Sequence, residues 1–492
     1  MKPNLAMLTI GALAMAASTV AYAQTTAAAG TAKPAPPSAG LVNDWLREQS
    51  PEPSAWDLGG QFRTRLEHKA HFGVAGGLDL RDEGGDAGNT YWLFRTKAHV
   101  GYTPCAWFTV YAEGRDSFSL NDERSPDPET DRFDLHQAYV RLGDPKEFPL
   151  TAKVGRQELS YGDERLIGAF DWNNLGRVFD AAKLRFENEK LWVDAFTGRV
   201  VLADDHQLNM PNDYDWFSGV YASTRALCPV QETQLFFLAR NTDLQSPAAN
   251  AGGAPQAGGP AARDIYTVAL RVKSLPGKLG GWDYSAELAG QFGRFRETAG
   301  ARSGQNLDHE AFAAHVAGAY TCKDCWGTPR VGLEYNFASG DSDPTDGKHT
   351  TFENLFPTNH KFYGYMDVAS WQNLHNPRLS LSLKPDKKLT VTADYHLFWL
   401  ADTHDNFYTV AGARRGGVGA TAGKGYGINA GNDSFVGSEI DLIATYTIKP
   451  YATAQVGYGH FFVGKYVDQT FAAPGFGSTD ADYVYAQVVF NF

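Results

Sequence analysis

The sequence predicts an all-β fold, a transmembrane antiparallel β-barrel of about 18 strands with short periplasmic turns and long extracellular loops. Three observations carry this expectation. The chain ends on an alternating segment that stops at an aromatic residue, Tyr483-Val484-Tyr485-Ala486-Gln487-Val488-Val489-Phe490-Asn491-Phe492. It begins with a secretory leader. Between the two, period-two segments repeat, joined by links that alternate short and long.

In the last segment Val484, Ala486, Val488, Phe490 and Phe492 share one face, and Tyr483, Tyr485, Gln487 and Asn491 share the other. An apolar face opposite a wet one suits the closing strand of a lipid-facing barrel. The terminal Phe492 also resembles the signal read by the outer-membrane assembly machinery. On this segment alone, a terminal strand of a soluble β-sandwich remains open.

The leader settles the compartment. Lys2 is followed by the apolar run Leu5 to Val20 and by the small-residue cleavage site Ala21-Tyr22-Ala23, so 1–23 reads as a signal peptide. Its apolar core is too short and alanine-rich for a spanning helix, and no later run approaches the ~20 apolar residues one needs. Residues 24–54 read as an Ala/Pro-rich periplasmic linker, with room for one or two helical turns over Leu41 to Gln49. Residues 55–492 read as the barrel. A chain of 492 residues would ordinarily suggest several domains, but one closed sheet absorbs that length.

Composition agrees. Mean hydropathy is −0.36 although aromatics reach 13%, as expected when only alternate residues face lipid and aromatic girdles line both interfaces. The net charge of −12 argues against a nucleic-acid partner, while leaving room for a basic lumen behind acidic loops.

The strands follow from alternation. In the first, Trp56, Leu58, Gly60, Phe62, Thr64 and Leu66 face one way, and Asp57, Gln61, Arg63, Arg65 and Glu67 the other. The same reading places strands at 56–67, 91–102, 107–117, 133–142, 150–157, 178–186, 191–199, 216–226 and 233–240. The second half gives 264–273, 282–293, 311–320, 329–337, 377–384, 389–400, 436–447, 451–462 and 482–492. Tight turns such as Glu187-Asn188-Glu189-Lys190 and Pro385-Asp386-Lys387-Lys388 alternate with long links near 68–90, 158–177, 241–263, 338–376 and 401–435. No blade-length repeat of ~40–50 residues points to a propeller. Strand parity places both termini in the periplasm.

Of four cysteines, Cys322 and Cys325 have the spacing of a redox or zinc pair. They lack a thioredoxin-like context and a second such pair, which leaves a structural disulfide in an oxidising turn.

The inward phase carries the functional signal. Over the first seven strands it includes Arg63, Arg65, Arg95, Lys97, Arg115, Arg141, Lys153, Lys183 and Arg185 against Asp57, Glu67, Glu113 and Asp194. Later strands reverse the balance, with Asp283, Glu287, Glu334, Asp394, Glu439 and Asp441 against Arg271, Lys273, Arg330 and Arg378. Two readings stay open: charges that pair across a wet lumen, or a basic wall that selects anions through forked guanidinium contacts and a focused field. No serine-hydrolase, zincin, P-loop or dinucleotide motif stands in a fitting context. The Glu439 and Asp441 pair sits two apart on one strand face, which could serve hydrolysis, but a wet lumen explains it as well and is the favoured reading. No cofactor, metal or catalytic residue is expected.

Several stretches together resemble the alginate export family of outer-membrane proteins. They are Val154-Gly155-Arg156-Gln157, Tyr161-Gly162-Asp163-Glu164-Arg165-Leu166, Tyr335-Asn336-Phe337-Ala338-Ser339-Gly340-Asp341, Tyr395-His396-Leu397-Phe398-Trp399 and Gly437-Ser438-Glu439-Ile440-Asp441-Leu442. The resemblance implies passage of a uronate polymer through an arginine-lined pore, and it adds Arg156 to the lumen set. It also implies arginines on the strand near 451–462 and a long periplasmic turn before it acting as a plug. This sequence has Thr453, Gln455 and Gly457 inward there, and only Ile448-Lys449-Pro450 as the turn.

The expected function is therefore an outer-membrane channel of a Gram-negative-type bacterium, monomeric, passing an anionic, alginate-like poly- or oligosaccharide. The expected partners are that carbohydrate, membrane lipid, the assembly machinery through Phe492, and periplasmic export partners. A general or small-anion porin is the alternative, and an outer-membrane hydrolase or adhesion barrel is the alternative of another class.

Overall fold

The computed structural model describes residues 40–49, 55–72, 78–82, 88–124, 127–244, 262–298, 302–415 and 422–492. The expected signal peptide and the linker as far as residue 39 lie outside the described residues. Within the rest of that linker, helix α1 (Leu41–Gln49) forms where the sequence left room for it.

Eighteen long strands make the barrel. They are β1 (Trp56–Ala70), β2 (Asn89–Cys105), β3 (Phe108–Leu120), β4 (Asp131–Leu142), β5 (Leu150–Gln157), β6 (Phe179–Glu187), β7 (Leu191–Leu202), β8 (Met210–Thr224) and β9 (Gln231–Thr242). The second half is β10 (Arg263–Ser274), β11 (Trp282–Arg296), β12 (Asn306–Thr321), β13 (Arg330–Ala338), β15 (Leu374–Asp386), β16 (Leu389–Trp399), β17 (Phe435–Lys449), β18 (Ala452–Val463) and β19 (Ala481–Asn491). A two-residue strand, β14 (Lys348–His349), adds to β12 in parallel from within a loop. Each long strand pairs antiparallel with its neighbours in the sequence of long strands, and β1 pairs with β19 to close the sheet. Closure removes the exposed edges that make an open sheet prone to aggregation.

Every expected strand is present. Several run further at their extracellular ends, β8 beginning at Met210 and β12 at Asn306. The extra residues are polar or irregular in pattern, so alternation alone ends the strands early.

The seam shows how the terminus is used. Gln61 faces Asn491, and Gly60 and Phe492 exchange two backbone hydrogen bonds of 3.0 Å. Only glycine fits at residue 60, because a Cβ there would run into the Lys97 carbonyl and the Phe492 ring. Beyond the end of β19, Asn43 of α1 continues the ladder: its Oδ1 accepts from the Leu58 N–H at 2.9 Å, and its Nδ2 donates to Asp57 at 2.7 Å.

The two faces separate as alternation predicts. Trp56, Phe62, Val484 and Val488 are exposed outward, whereas Arg63, Arg65, Tyr483 and Tyr485 are buried inward. Pairs such as Trp56–Tyr102 and Trp282–Tyr320 lie next to the periplasmic turns, and Trp92, Trp216 and Phe462 lie toward the opposite rim, the belts of a barrel in lipid. No described helix is long and apolar enough to cross a membrane. Cys322 and Cys325 form a disulfide in the β12–β13 turn, the structural role expected of them.

The interior departs from a simple wet lumen. The main apolar cluster joins inward strand positions such as Phe179, Phe217, Phe236 and Phe461 to Ile167, Phe356, Phe362, Tyr363 and Trp371. The latter belong to the links 158–178 and 350–373, so these long connections fold into the barrel and carry a core of their own. Nothing in their polarity announces this: a long link between strands reads the same whether it reaches outward or in.

Candidate functional site

The two inward links meet inside the barrel. Ile167 and Phe356 form a parallel bridge. Phe356 N–H donates to the Leu166 carbonyl at 3.0 Å, Gly168 N–H to the Phe356 carbonyl at 2.8 Å, and Thr358 N–H to the Glu164 carbonyl at 2.9 Å. Arg177, fully buried, donates to the carbonyls of Gly168, Phe356 and Pro357 at 2.7, 2.6 and 3.0 Å. All three bonds come from one terminal nitrogen of the guanidinium, Nη1, at the point where the carbonyls of the two links converge.

The cations expected to face inward on β1–β3 are buried inside the barrel, and the 158–178 link sits on them. Arg63 and Arg95 are direct cross-strand neighbours. Arg63 donates to the carbonyls of Asp171 and Asn173 at 2.6 and 3.1 Å. Arg95 donates to the Asp171 carbonyl at 3.0 Å. Arg65 donates to the Trp172 carbonyl at 2.9 Å and stacks on the Trp172 ring at 3.9 Å, while pairing with Glu67 at 2.6 Å. Arg115 is bonded to Asp131 and to the Leu175 carbonyl. The Asp171 carboxylate lies 3.0 Å from Arg95 and 3.3 Å from Lys97. Its enclosure within the barrel would by itself raise its pKa. The field of Arg95, Lys97 and Arg63 overcomes this and holds the carboxyl well below the usual carboxylate range.

The wall on β4–β6 carries the same residue types in a different setting. Arg141, Lys153 and Lys183 are cross-strand partners in one row, about 4.8 Å apart from strand to strand. All three are only partly buried. Lys153 lies over the Tyr139 ring at 3.6 Å, and Arg141 donates to Thr109 at 3.2 Å. Neither forms an ion pair among the described residues. Lys183 lies 3.6 Å from Asp194, which Arg185 engages at 2.6 Å. Tyr139 also stacks on Tyr111, with centroids 5.0 Å apart, so a short stack of rings abuts the row.

Two expectations need correction. Arg156 does not line the lumen. It shares the outward phase of exposed Val154, where the β4–β5 pairing ends, and it bonds Asp180 at 2.8 Å and the Asn209 carbonyl at 3.0 Å. It fastens the extracellular rim. Glu439 and Asp441 do face inward, but no solvent reaches them. Glu439 accepts from the Met366 N–H at 2.9 Å and Asp441 from the Tyr365 N–H at 3.3 Å. Gly364, at φ +89°, lets the backbone lie against the Glu439 carboxylate. The pair anchors the 350–373 link and has no room for a sugar.

The quoted motifs converge on the same task. Arg165 of the 158–178 link pairs with Glu334 at 2.7 Å and donates to Asn336 at 3.0 Å, joining two of them. Asp163 accepts from Lys273 at 2.8 Å and pairs with Arg271 at 2.5 Å. Thr453, Gln455 and Gly457 line β18 as expected, and Gln455 binds the Tyr485 hydroxyl at 3.0 Å. With only a tight turn before β18, the lumen is narrowed from the extracellular side. Asp171 is the residue that sequence reasoning missed. It is one acidic side chain in a long link, and only an inward fold gives it cations to meet.

A family model for alginate export matches residues 54–473. The chain belongs to the alginate export family. No curated protein matches it by sequence. Among solved structures it is similar to Pseudomonas aeruginosa OccK7 (OpdD), with 13% identity, 89% of this chain and 99% of that one covered, and a TM-score of 0.54. P. aeruginosa OpdK, solved with vanillate, gives 14% identity, 89% and 98% coverage and a TM-score of 0.54. P. aeruginosa OccD3 (OpdP) gives 13% identity, 88% and 91% coverage and 0.53. At such identity the likeness speaks for the fold, an outer-membrane barrel. This member of the alginate export family is a channel of the Gram-negative outer membrane.

Proposed function

We propose that the channel passes an anionic carbohydrate, an alginate-like uronate chain or its oligomers, along the basic side of the lumen. The observation that supports this reading is the row Arg141–Lys153–Lys183, partly buried on the lumen face, in which Arg141 and Lys153 form no ion pair among the described residues. A row of weak, equivalent cation sites lets a polyanion advance without binding tightly anywhere. The β1–β2 cations under Asp171 lie on the same side. A second reading, passage of small organic anions, is favoured by the two inward links, which narrow the path. OpdK, with its bound vanillate, is a relative in fold consistent with it. In either case the protein acts as a monomer, is assembled through its Phe492 end, and enters the periplasm behind a signal peptide spanning 1–23.

The test is planar-bilayer recording with galacturonate trimer, neutral maltotriose and benzoate as blockers. Uronate passage predicts anion preference and block by the trimer, with maltotriose inert. The Arg141→Glu/Lys153→Glu variant should lose both. Block by benzoate alone supports the small-anion reading. A cation-preferring wild type overturns both.

A further inference from the structure

Arg63 and Arg95 stand directly opposite each other on β1 and β2, an arrangement that is unfavourable for like charges unless something is placed between them. Most of what is placed there is neutral. The carbonyls of Asp171 and Asn173 take their N–H groups, solvating the cations without cancelling their charge. The nearest formal negative charge is the Asp171 carboxylate, 3.0 Å from Arg95 and 3.3 Å from Lys97. The Arg95 side chain is 1% exposed and that of Lys97 10%, whereas that of Asp171 is 59% exposed. The carboxylate therefore lies on the wet side of buried cations, in the position a bound anion would take. Glu158, from the start of the same link, adds a weaker contact to Lys97 at 3.7 Å.

We propose that Arg63, Arg95 and Lys97 form an anion site, that Asp171 is its resident occupant, and that the carboxylate of a passing solute exchanges with it. The proposal rests on the anionic-solute reading above. It adds a second stop for the solute, on β1–β2, and a device that keeps this stop weak. The exchange requires only that the Asp171 side chain turn away, because the link is held by its backbone carbonyls and not by that carboxylate. No bond is made or broken. A carboxylate replaces a carboxylate, so the charge of the cluster is conserved and a solute meets a competitor of its own kind. Weak, exchangeable binding of this type is what conduction needs.

The experiment compares wild type with Asp171→Asn and Asp171→Glu in planar bilayers. The amide keeps shape and leaves the loop carbonyls in place, but removes the resident charge. At low salt the anion-to-cation permeability ratio of Asp171→Asn should rise roughly two- to fivefold. The concentration of galacturonate trimer giving half-block should fall by a similar factor, with no response to maltotriose. Asp171→Glu should stay near wild type. At 1 M salt, where screening acts within ~3 Å, the conductances of wild type and Asp171→Asn should coincide. Unchanged selectivity and trimer block in Asp171→Asn, while Arg141→Glu/Lys153→Glu still shifts selectivity, would overturn the resident-carboxylate proposal and leave the anionic-solute reading standing. A conductance change that persists at 1 M would overturn it too, since the link would then have moved. If wild type shows neither anion preference nor trimer block, the reading itself fails and takes the site with it.

Discussion

The β1–β3 wall and the β4–β6 wall present the same kinds of side chain to the lumen and do different things with them. On β1–β3, Arg63, Arg65, Arg95 and Arg115 are buried under the 158–178 link, and each gives at least one hydrogen bond to its carbonyls. On β4–β6, Arg141 and Lys153 bond to no link carbonyl and form no ion pair among the described residues, and are only partly buried. An inward arginine thus has two uses in a barrel: it can face the solute, or it can hold the peptide that narrows the path. Strand phase reveals that the side chain points inward. What lies on top of it depends on where a loop some hundred residues away in sequence comes to rest.

The comparison breaks most visibly if the clamp is reversed. Arg63→Glu/Arg95→Glu removes four charged hydrogen bonds to loop carbonyls, each worth about 1.5–3 kcal/mol, and places like charge against Asp171. The link should leave the wall. Single-channel conductance should then rise several-fold and stay high at 1 M salt, because the cause is steric. Proteolysis of intact cells should begin to cut within 158–178. Unchanged conductance at 1 M, with no cleavage in 158–178, would show that these arginines do not hold the link.

The β4–β6 row should respond the other way. Arg141→Glu/Lys153→Glu disturbs no loop, so conductance at 1 M salt should match wild type. At low salt the reversal potential should move toward cation preference, an effect confined to conditions in which the Debye length is about 10 Å or more. If both double variants gave the same pattern, the distinction between the walls would collapse.

This division explains what was legible beforehand. The lumen phase of Arg63, Arg95, Lys97, Arg141 and Lys183 follows from period two alone, as does the strand order. Arg156 was misplaced because a family motif, rather than phase, brought it into the set, and it sits where β4 and β5 part. Glu439 and Asp441 had the right face, but what covers them comes from residues 363–367, too far away in sequence for any local pattern to report. Asp171 was invisible for the same reason. The motif residues Arg165, Glu334 and Asn336 were read as marks of kinship, and their contacts show them to be fastenings of the inward link.

Acid should separate two sets of loop contacts more gently. The Asp171 carboxyl lies well below the usual range for the reasons given. That of Asp163 does too, because Arg271 and Lys273 outweigh the cost of burial. Groups with lowered folded values stabilise the fold at neutral pH, and that support is lost only as pH falls below ~4. Asp341 is opposite in sign: burial, then the neighbouring Asp405, pushes it up to about 6. Burial raises Asp405 as well, against hydrogen bonds from Thr351 and Tyr408. Their charged forms disfavour the folded loop, a penalty relieved as pH falls through about 6. Between pH 7 and 5 amide protection around Asp341 and Thr351 should rise a few-fold, while that of 163–175 should not change. Loss of protection at 163–175 in that window would mean that the cations around Asp163 and Asp171 do not hold these carboxyls below the usual range.

The smallest expected effect is the control that neither wall predicts. Cys322 and Cys325 are three apart in sequence, in the turn between β12 and β13, away from both basic walls and both inward links. A disulfide stabilises mainly by limiting the unfolded chain, and so short a loop removes little freedom, roughly 1–2 kcal/mol. Eighteen paired strands dominate the stability of the whole. Cys322→Ser/Cys325→Ser should therefore insert normally, show wild-type conductance and selectivity at every salt concentration, and unfold at a temperature only slightly lowered. Its value lies in the contrast: a fully folded double serine variant with altered conductance would tie the periplasmic turn to the lumen path, and the division of labour between the two walls would no longer account for the channel.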